Sequence, residues 1–366
     1  MENLHYLLRL IGVNGIGNKR ILTLFENFGS FESVFNAPVR DISNIIGLDY
    51  EIVAQIKEDT FKRFADNQIA EAKKKNFKIM TYWSPDYPEC LKRIFNPPVI
   101  LFYKGHMLKE DFNSIAVVGM RMPSQYGKKA TEYFCKELIS RDITITSGMA
   151  RGIDSTAHRC CLKNKGRTLA ILGSGLNVCY PPENKELFRD IIQSGAVISE
   201  FPLHTPPNKE NFPRRNRLIS GLSKGTLVIE GGIKSGALIT AYYALDQGKE
   251  VFAVPGNINS KGSKGTHKLI KEGAKLVENI EDILVEISCF ESIYRSASST
   301  KNEDEILKSL SSEEVKLWDV LTSEPIHIDK IAIKAGISTS EALSLLLSME
   351  LKDCVKQITG MKFIKN

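Results

Sequence analysis

A chain of 366 residues, 42% apolar and 25% charged, has an ordinary globular composition. At roughly 100–200 residues per domain it holds two or three domains, which excludes a mostly disordered, fibrous or collagen-like chain. No apolar run reaches the roughly 18 residues that span a bilayer, and the net charge of +6 permits an anionic partner without requiring one.

The opening residues, MENLHYLLRLIGVNGIG, carry no basic n-region and no small-residue cleavage site. No signal peptide is expected, and the chain is read as soluble and cytoplasmic, with no membrane partner. Across residues 1–70 apolar side chains recur at helical spacing: Leu7, Leu8 and Ile11, then Ile21, Leu22, Leu24 and Phe25. Between these groups VNGIGNKR (13–20) sets two glycines around one apolar residue, ahead of a basic helix start. Such a turn lets backbone N–H groups approach a phosphate, as in a helix-hairpin-helix. NIIGLDYEIVAQI (44–56) is a weaker second copy. The alternative is a small helical bundle that touches no DNA.

Residues 76–287 are read as a Rossmann-like domain. FKIMTYW and VILFYKG look like strands on either side of the proline-punctuated SPDYPECLKRIFNPP. Short β-branched runs then alternate with helical stretches: Ile115–Val118, Ile143–Thr146, Leu169–Leu172, Ala196–Ser199, Thr226–Ile229 and Val251–Val254. They are continuously apolar, as strands buried on both faces are. Strand, helix, strand at this spacing implies right-handed crossovers and an α/β fold with a doubly wound parallel sheet. Residues 288–305 are serine-rich and polar and read as a linker. Residues 306–366 read as three helices and a hairpin around Gly360, a winged-helix domain.

The turns after the central strands are informative. Val118 leads into Gly119-Met120-Arg121, Thr146 into Ser147-Gly148, and Leu172 into Gly173-Ser174-Gly175. Ile229 leads into EGGIKSG (230–236), and Val254 into Pro255-Gly256-Asn257. In a parallel sheet these turns share one edge, where open α/β sheets bind ligands. Small residues there bring amides and helix N-termini close to an anion, so a phosphate-binding surface is expected. The first turn, GMRMPSQYG, is not a G-x-G-x-x-G fingerprint, and no Walker lysine loop occurs. NAD, FAD and ATP in their commonest modes are disfavoured, and no cofactor is expected.

Residues 201–268 carry ten Lys or Arg against four Asp or Glu, an excess equal to the charge of the whole chain. NFPRRNRLISGL (211–222) concentrates it. Phe212 offers a stacking face. Arg214, Arg215 and Arg217 offer planar cations for phosphates or bases. An aromatic among arginines beside a glycine-lined edge suits a single-strand nucleic-acid groove, the alternative being a solvated loop with Phe212 in the core. His158, Asp154, Glu200 and Glu230 could do acid–base work. Asp154 reads better as a helix cap and His158 as a structural residue, and no nucleophile or metal-ligand motif stands out. The seven cysteines show no C-x-x-C, which fits reduced thiols and no structural zinc.

SGMARGIDSTAH (147–158), ILGSGLNVCYPPEN (171–184), ISEFP (198–202), FPRRNRLISGLS (212–223), SGALITAYYALDQGKEVFAVPG (235–256) and GTHKLI (265–270) closely resemble the DNA-processing protein A family, also called Smf. The resemblance spans the central block in order. It implies a Rossmann-like core with an N-terminal helix-hairpin-helix or sterile-alpha-motif-like domain and a C-terminal winged helix. It further implies a non-catalytic protein that binds single-stranded DNA and loads the RecA recombinase during natural transformation. It implies help in displacing single-strand-binding protein, and a homodimer joined through the core. Residue by residue, Arg121 and Ser124 fall on the first glycine turn, 212–217 on the arginine segment and Lys234 on the lysine before SGALIT. Met120 stands where the family turn is usually small, and Gly231 and Gly232 where it usually has alanine.

The expected DNA site is therefore Gly119, Arg121, Ser124, Ser147, Gly148, Gly173, Phe212, Arg214, Arg215, Asn216, Arg217, Lys234, Ser235 and Gly236. The side chains would neutralise successive phosphates and the amides of Gly119, Gly148, Gly173 and Gly236 would hold phosphate oxygens. His267, Ile270 and Leu276 are the expected dimer contact, with Leu269 and Ile270 reading as exposed, the alternative being an ordinary core helix. The competing function is a nucleotide-binding or nucleotide-hydrolysing enzyme of the related SLOG group. Its P-G-G-x-G-T-x-x-E signature is only approached by EGGIKSGALIT, without the proline, threonine or glutamate. Residues 305–366 hold eight lysines against nine acids, and the expected recognition helix opens Ser338-Thr339-Ser340-Glu341 without a cation. That favours a protein contact or auxiliary DNA role over duplex reading.

Overall fold

A computed structural model describes residues 2–47, 49–287, 310–321, 326–352, 354–358 and 360–365. The chain forms two compact units, Met1–Ile287 and Ser288–Asn366. The 288–305 linker lies outside the described residues.

The first unit is built on a nine-stranded sheet. Seven strands run parallel: β3 (Ser114–Val118), β4 (Thr144–Ser147), β5 (Thr168–Ile171), β6 (Gly195–Ser199), β7 (Gly225–Val228), β8 (Glu250–Ala253) and the short edge strand β9 (Lys275–Leu276). β1 (Lys78–Thr81) and β2 (Ile100–Gly105) extend the sheet antiparallel beyond β6. The order across the sheet is β1-β2-β6-β5-β4-β3-β7-β8-β9. Successive side chains of the parallel strands enter opposite cores. Ala116, Val118, Leu169, Ile171, Val228 and Val251 face one, while Ile115, Val117, Ile145, Leu227 and Phe252 face the other. This two-sided burial is the reason each strand reads as an unbroken apolar run.

Helices cover both faces. α8 (Gln125–Ile139) and α9 (Ile153–Lys163) pack on the second core, and α10 (Lys185–Ser194) follows beside them. α7 (Glu89–Lys92), α11 (Asn211–Leu222), α12 (Gly236–Asp246) and α13 (Lys264–Lys271) cover the first. From β3 the chain winds outward through β4 and β5 to β6, then returns to β7 on the other side of β3. The order thus reverses at β3, which opens a crevice at the carboxyl ends of its neighbours.

The N-terminal helices are α1 (Glu2–Gly12), α2 (Asn18–Phe28), α3 (Phe31–Asn36), α4 (Val39–Ile46), α5 (Tyr50–Ala54) and α6 (Asp59–Lys74). Gly15 between α1 and α2 and Gly47 between α4 and α5 both take positive φ, 90° and 59°, where glycine turns most cheaply. The Arg20 Nη1 donates to Gly15 O at 2.8 Å, so this basic residue closes its own turn. These helices share cores with the sheet. Leu8, Ala65 and Ala72 pack with Phe102, Ala170 and Val197, while the Trp83 ring lies 4.5 Å from Phe25.

The second unit has helices Ser312–Val320, Ile328–Ala335 and Thr339–Leu351 around Leu317, Trp318, Ile331, Leu346 and Phe363. β10 (Ile326–His327), β11 (Val355–Ile358) and β12 (Lys362–Lys365) form a sheet in the order β10-β12-β11, which completes a winged helix. Ser338 and Glu341 form a capping box, so the opening of the expected recognition helix serves its own backbone. Among the described residues no single helix is long and apolar enough to cross a membrane.

Candidate nucleic-acid interface

The crevice at β3, β4 and β5 is walled by Arg121, Ala150, Arg151, Gly173, Tyr180 and Phe212. Phe212, at the start of α11, lies directly on Gly173. A Cβ at that position would sit 2.8 Å from Phe212 Cδ1, so the ring approaches the strand end only because the residue is glycine. The Tyr180 ring lies 5.7 Å from Phe212 and tilts by 41°. The exposed Arg121 guanidinium stands 5.6 Å from the Phe212 ring centre. A solvent-facing planar cation over a half-buried ring, with a second ring beside it, can take a phosphate and a base together.

Two amides at this edge, those of Ser124 and Ala150, already hold carboxylates of the protein's own. Glu230, at the end of β7, accepts from Ser124 N at 2.9 Å and Ser124 Oγ at 2.6 Å. Its carboxylate therefore occupies the N-terminus of α8. A Cβ at Gly127 would come within 2.1 Å of Glu230 Oε2, so that first turn is shaped around the carboxylate. Asp154 accepts the Ala150 amide at 3.4 Å, and the Gly148 amide also lowers its pKa. Burial pushes the Asp154 carboxyl up, opposed first by the Arg215 charge. Asp154 thus caps its turn through the Ala150 amide. Gly119 keeps Ile153 close, since a Cβ there would lie 2.5 Å from Ile153 Cγ1.

The arginine helix corrects part of the expected site. Arg214 is exposed, 5.2 Å above the Phe201 ring. Arg215 is only 4% exposed. Its Nη1 donates to Gly148 O at 2.5 Å and to Ile171 O, and its Nε donates to Asn216 Oδ1 at 3.1 Å. Burial pulls its pKa down to about 10, the Asp154 carboxylate opposing. Arg217 is 5% exposed and donates to the buried Glu200. Asn216 donates to Gly236 O at 3.2 Å. Asn216 and Arg217 therefore tie α11 into the interior, because α11 lies flat on the first core, while Arg215 lines the crevice but spends its donors on the Gly148 and Ile171 carbonyls. Ser147 is likewise interior, donating to Val117 O at 2.6 Å. Ser235 caps α12 through the Ala237 amide, while Lys234 and Gly236 are exposed beside it.

His158 is fully buried, its Nδ1 2.7 Å from Thr168 Oγ1. Burial, and then the Arg215 charge, lowers its pKa to about 3. It is a neutral interior group with no access to solvent. His267 Nε2 lies 3.0 Å from Gly256 O and is half-buried. Leu269 is 1% exposed and belongs to the core, which corrects the reading of it as a surface residue. Ile270 packs half-buried at that core's margin, and Leu276 is exposed on the edge strand β9.

Residues 78–288 match the family described as DNA recombination-mediator protein A. This chain belongs to that family. Residues 301–361 match the DprA winged helix domain and 7–60 a SAM-like helix-hairpin-helix tandem. Protein Smf of Escherichia coli (strain K12) is 38% identical over 82% of this chain and 80% of its own length. DNA processing protein DprA of Streptococcus pneumoniae is 36% identical over 78% of this chain and 99% of its own. An X-ray structure of the Streptococcus pneumoniae protein superposes with a TM-score of 0.69 at 36% identity, covering 77% of this chain and 97% of that one. DNA processing protein A from Helicobacter pylori, whose structure was described for its single-stranded DNA binding mode, superposes at 0.52 with 27% identity, over 59% and 96%.

The crevice is also lined by residues that sequence reasoning passed over. Tyr180 comes after a glycine turn in GSGLNVCYPPEN, where only the fold brings it to Phe212. Arg151 flanks the crevice and is held by Glu183, with Nη2 to Oε2 at 3.1 Å. The engagement of Glu230 with Ser124 is invisible in sequence, because the two lie 106 residues apart, whereas Asp154 capping its own turn is as the sequence led us to expect.

Proposed function

We propose that this chain is a single-strand DNA-binding recombination mediator. The observation that carries the reading is the Arg121–Phe212–Tyr180 cluster: a free guanidinium against one ring, with a second ring alongside, at the switch point of the sheet. Its members can receive phosphate and base from a strand whose bases are unpaired. Lys234 and Arg214, both exposed, add charge around it. The Helicobacter pylori relative, described for single-stranded DNA binding, supports the same reading. Glu230 on the Ser124 amide and Asp154 on the Ala150 amide take two donors that a small nucleotide's phosphate would use, which supports a binding protein over a nucleotide hydrolase.

In this reading the protein is a cytoplasmic non-enzyme that coats incoming DNA during natural transformation. It loads RecA recombinase and helps displace single-strand-binding protein. A homodimer through His267, Ile270 and Leu276 would join two clefts on one strand and gain avidity. The test is fluorescence anisotropy on a ~30-nucleotide single strand and the matching duplex, with salt titrated. Tight, salt-steep, single-strand-preferring binding that is lost in Arg121→Glu with Lys234→Glu is the expected result. Equal affinity for duplex, or a variant that binds like the parent, rejects it. RecA assembly on strands coated with single-strand-binding protein, with and without this chain, tests the mediator role.

A further inference from the structure

A second basic channel begins where the Phe212 cleft ends. α8 and α9 pack side by side and leave between them a groove of about 640 Å³. Lys128, Glu132 and Lys136 line it from α8, and Arg159 and Lys163 from α9. Arg121 lines this groove and the Phe212 cleft alike, so the two depressions adjoin at one side chain.

The spacing makes the stripe. Lys128, Glu132 and Lys136 stand four residues apart on one face of α8, as Arg159 and Lys163 do on α9. At 1.5 Å rise per residue, Lys128 to Lys136 spans about 12 Å along the helix. Glu132 is one turn from both lysines, yet it is ion-paired with neither. The other carboxylates nearby are engaged elsewhere, Glu137 with Arg141 and Glu183 with Arg151. Lys128, Lys136 and Lys163 are all exposed. No aromatic residue lines the groove among the described residues. It therefore offers charge without stacking surface, which suits a sugar–phosphate backbone rather than bases.

We propose that this α8–α9 groove carries the phosphate backbone of a single strand onward from the Arg121–Phe212 cleft. This rests on the single-strand reading above and extends it. The cleft holds a nucleotide by ring and guanidinium, and the groove holds the next phosphates by lysines, without sequence preference.

The test is strand-length-dependent binding of the full chain. Lys128→Glu, Lys136→Glu and Lys163→Glu are combined and compared with Lys62→Glu plus Lys109→Glu, a charge reversal outside the groove. A ~6-nucleotide strand reports the cleft alone and a ~20-nucleotide strand reports cleft and groove. The groove variant is expected to bind the long strand at least tenfold more weakly and the short strand unchanged. Its salt slope on the long strand should shrink by about 2, at roughly 0.7 per lost phosphate contact. The control should match the parent on both. Unchanged long-strand binding, equal loss on the short strand, or the same loss in the control would overturn the groove. If the parent itself binds neither strand, the single-strand function fails and the groove with it. Where the reversal lowers the melting temperature, the Lys→Gln triple variant is read in its place, and an unaltered long-strand affinity there rejects the inference.

Discussion

The two cationic regions of the central unit make opposite use of their charge. In α11 the arginines are adjacent in sequence, and two of three are buried on carbonyls and a carboxylate. Along α8 and α9 the cations that line the groove stand a helical turn or more apart, and the lysines reach water. A guanidinium can leave solvent only where its donors find acceptors. α11 lies across strand ends that supply bare carbonyls, so its arginines turn inward. The outer flanks of α8 and α9 meet no such acceptors, so their lysines stay free. Density of positive charge in a sequence therefore says little about which charges a ligand can reach.

Four measurements can break or sharpen that contrast. The largest effect falls on stability. Arg217→Ala leaves Glu200 buried without its partner and should cost about 3–5 kcal/mol in urea unfolding. A variant as stable as the parent would mean that the pair is not interior. Next, Phe212→Ala should weaken single-strand binding by about 1–3 kcal/mol, the value of one stacked base, with little change in unfolding. Binding that is unaltered would move the stacking surface elsewhere.

The third is pH dependence. His158 has a folded pKa of about 3, below its unfolded value of roughly 6.5. Its stability contribution is full above the unfolded value and is lost as pH falls toward the folded one. Between neutrality and pH 5 about 2 kcal/mol should go, and His158→Gln should flatten that stretch of the curve. An unchanged pH profile in the variant would show the ring is not the titrating group. The smallest effect is that of Arg214→Ala. The exposed cation over Phe201 should be worth about 0.5–1 kcal/mol to folding, and its loss should cost a few-fold in DNA affinity. If Arg214→Ala unfolds the protein and Arg217→Ala does not, the contrast is inverted.

Much of the fold was legible because its physics is local. Strands β3 to β8 each read as an apolar run, and observed limits fall within one residue of the expected ones. Gly15 and Gly47 announced their turns because positive φ favours glycine. Pairing is a different matter. That β1 and β2 would extend the parallel sheet in antiparallel sense is set by packing against β6, which no run of residues encodes. At the site, Arg121 and Phe212 were legible as a cation and a ring near one edge. The place of Tyr180 comes from the loop after Gly173, and the Arg121–Phe212 contact from the fold setting the start of α11 beside the turn after β3. Asn216, Arg217 and Ser147 were misplaced, and Arg215 lines the crevice with its donors already committed, because composition shows a polar group and not the acceptor it finds inside.

The most direct test of the central claim is photocrosslinking of a single strand carrying 5-bromouracil, with the adducts mapped by mass spectrometry. Binding in the Arg121–Phe212 cleft predicts adducts on peptides containing Tyr180 or Phe212, and their loss in Arg121→Glu. Adducts confined to residues 1–60 or to residues 310–365 would contradict it, and would move the DNA site to the helix-hairpin-helix or the winged helix.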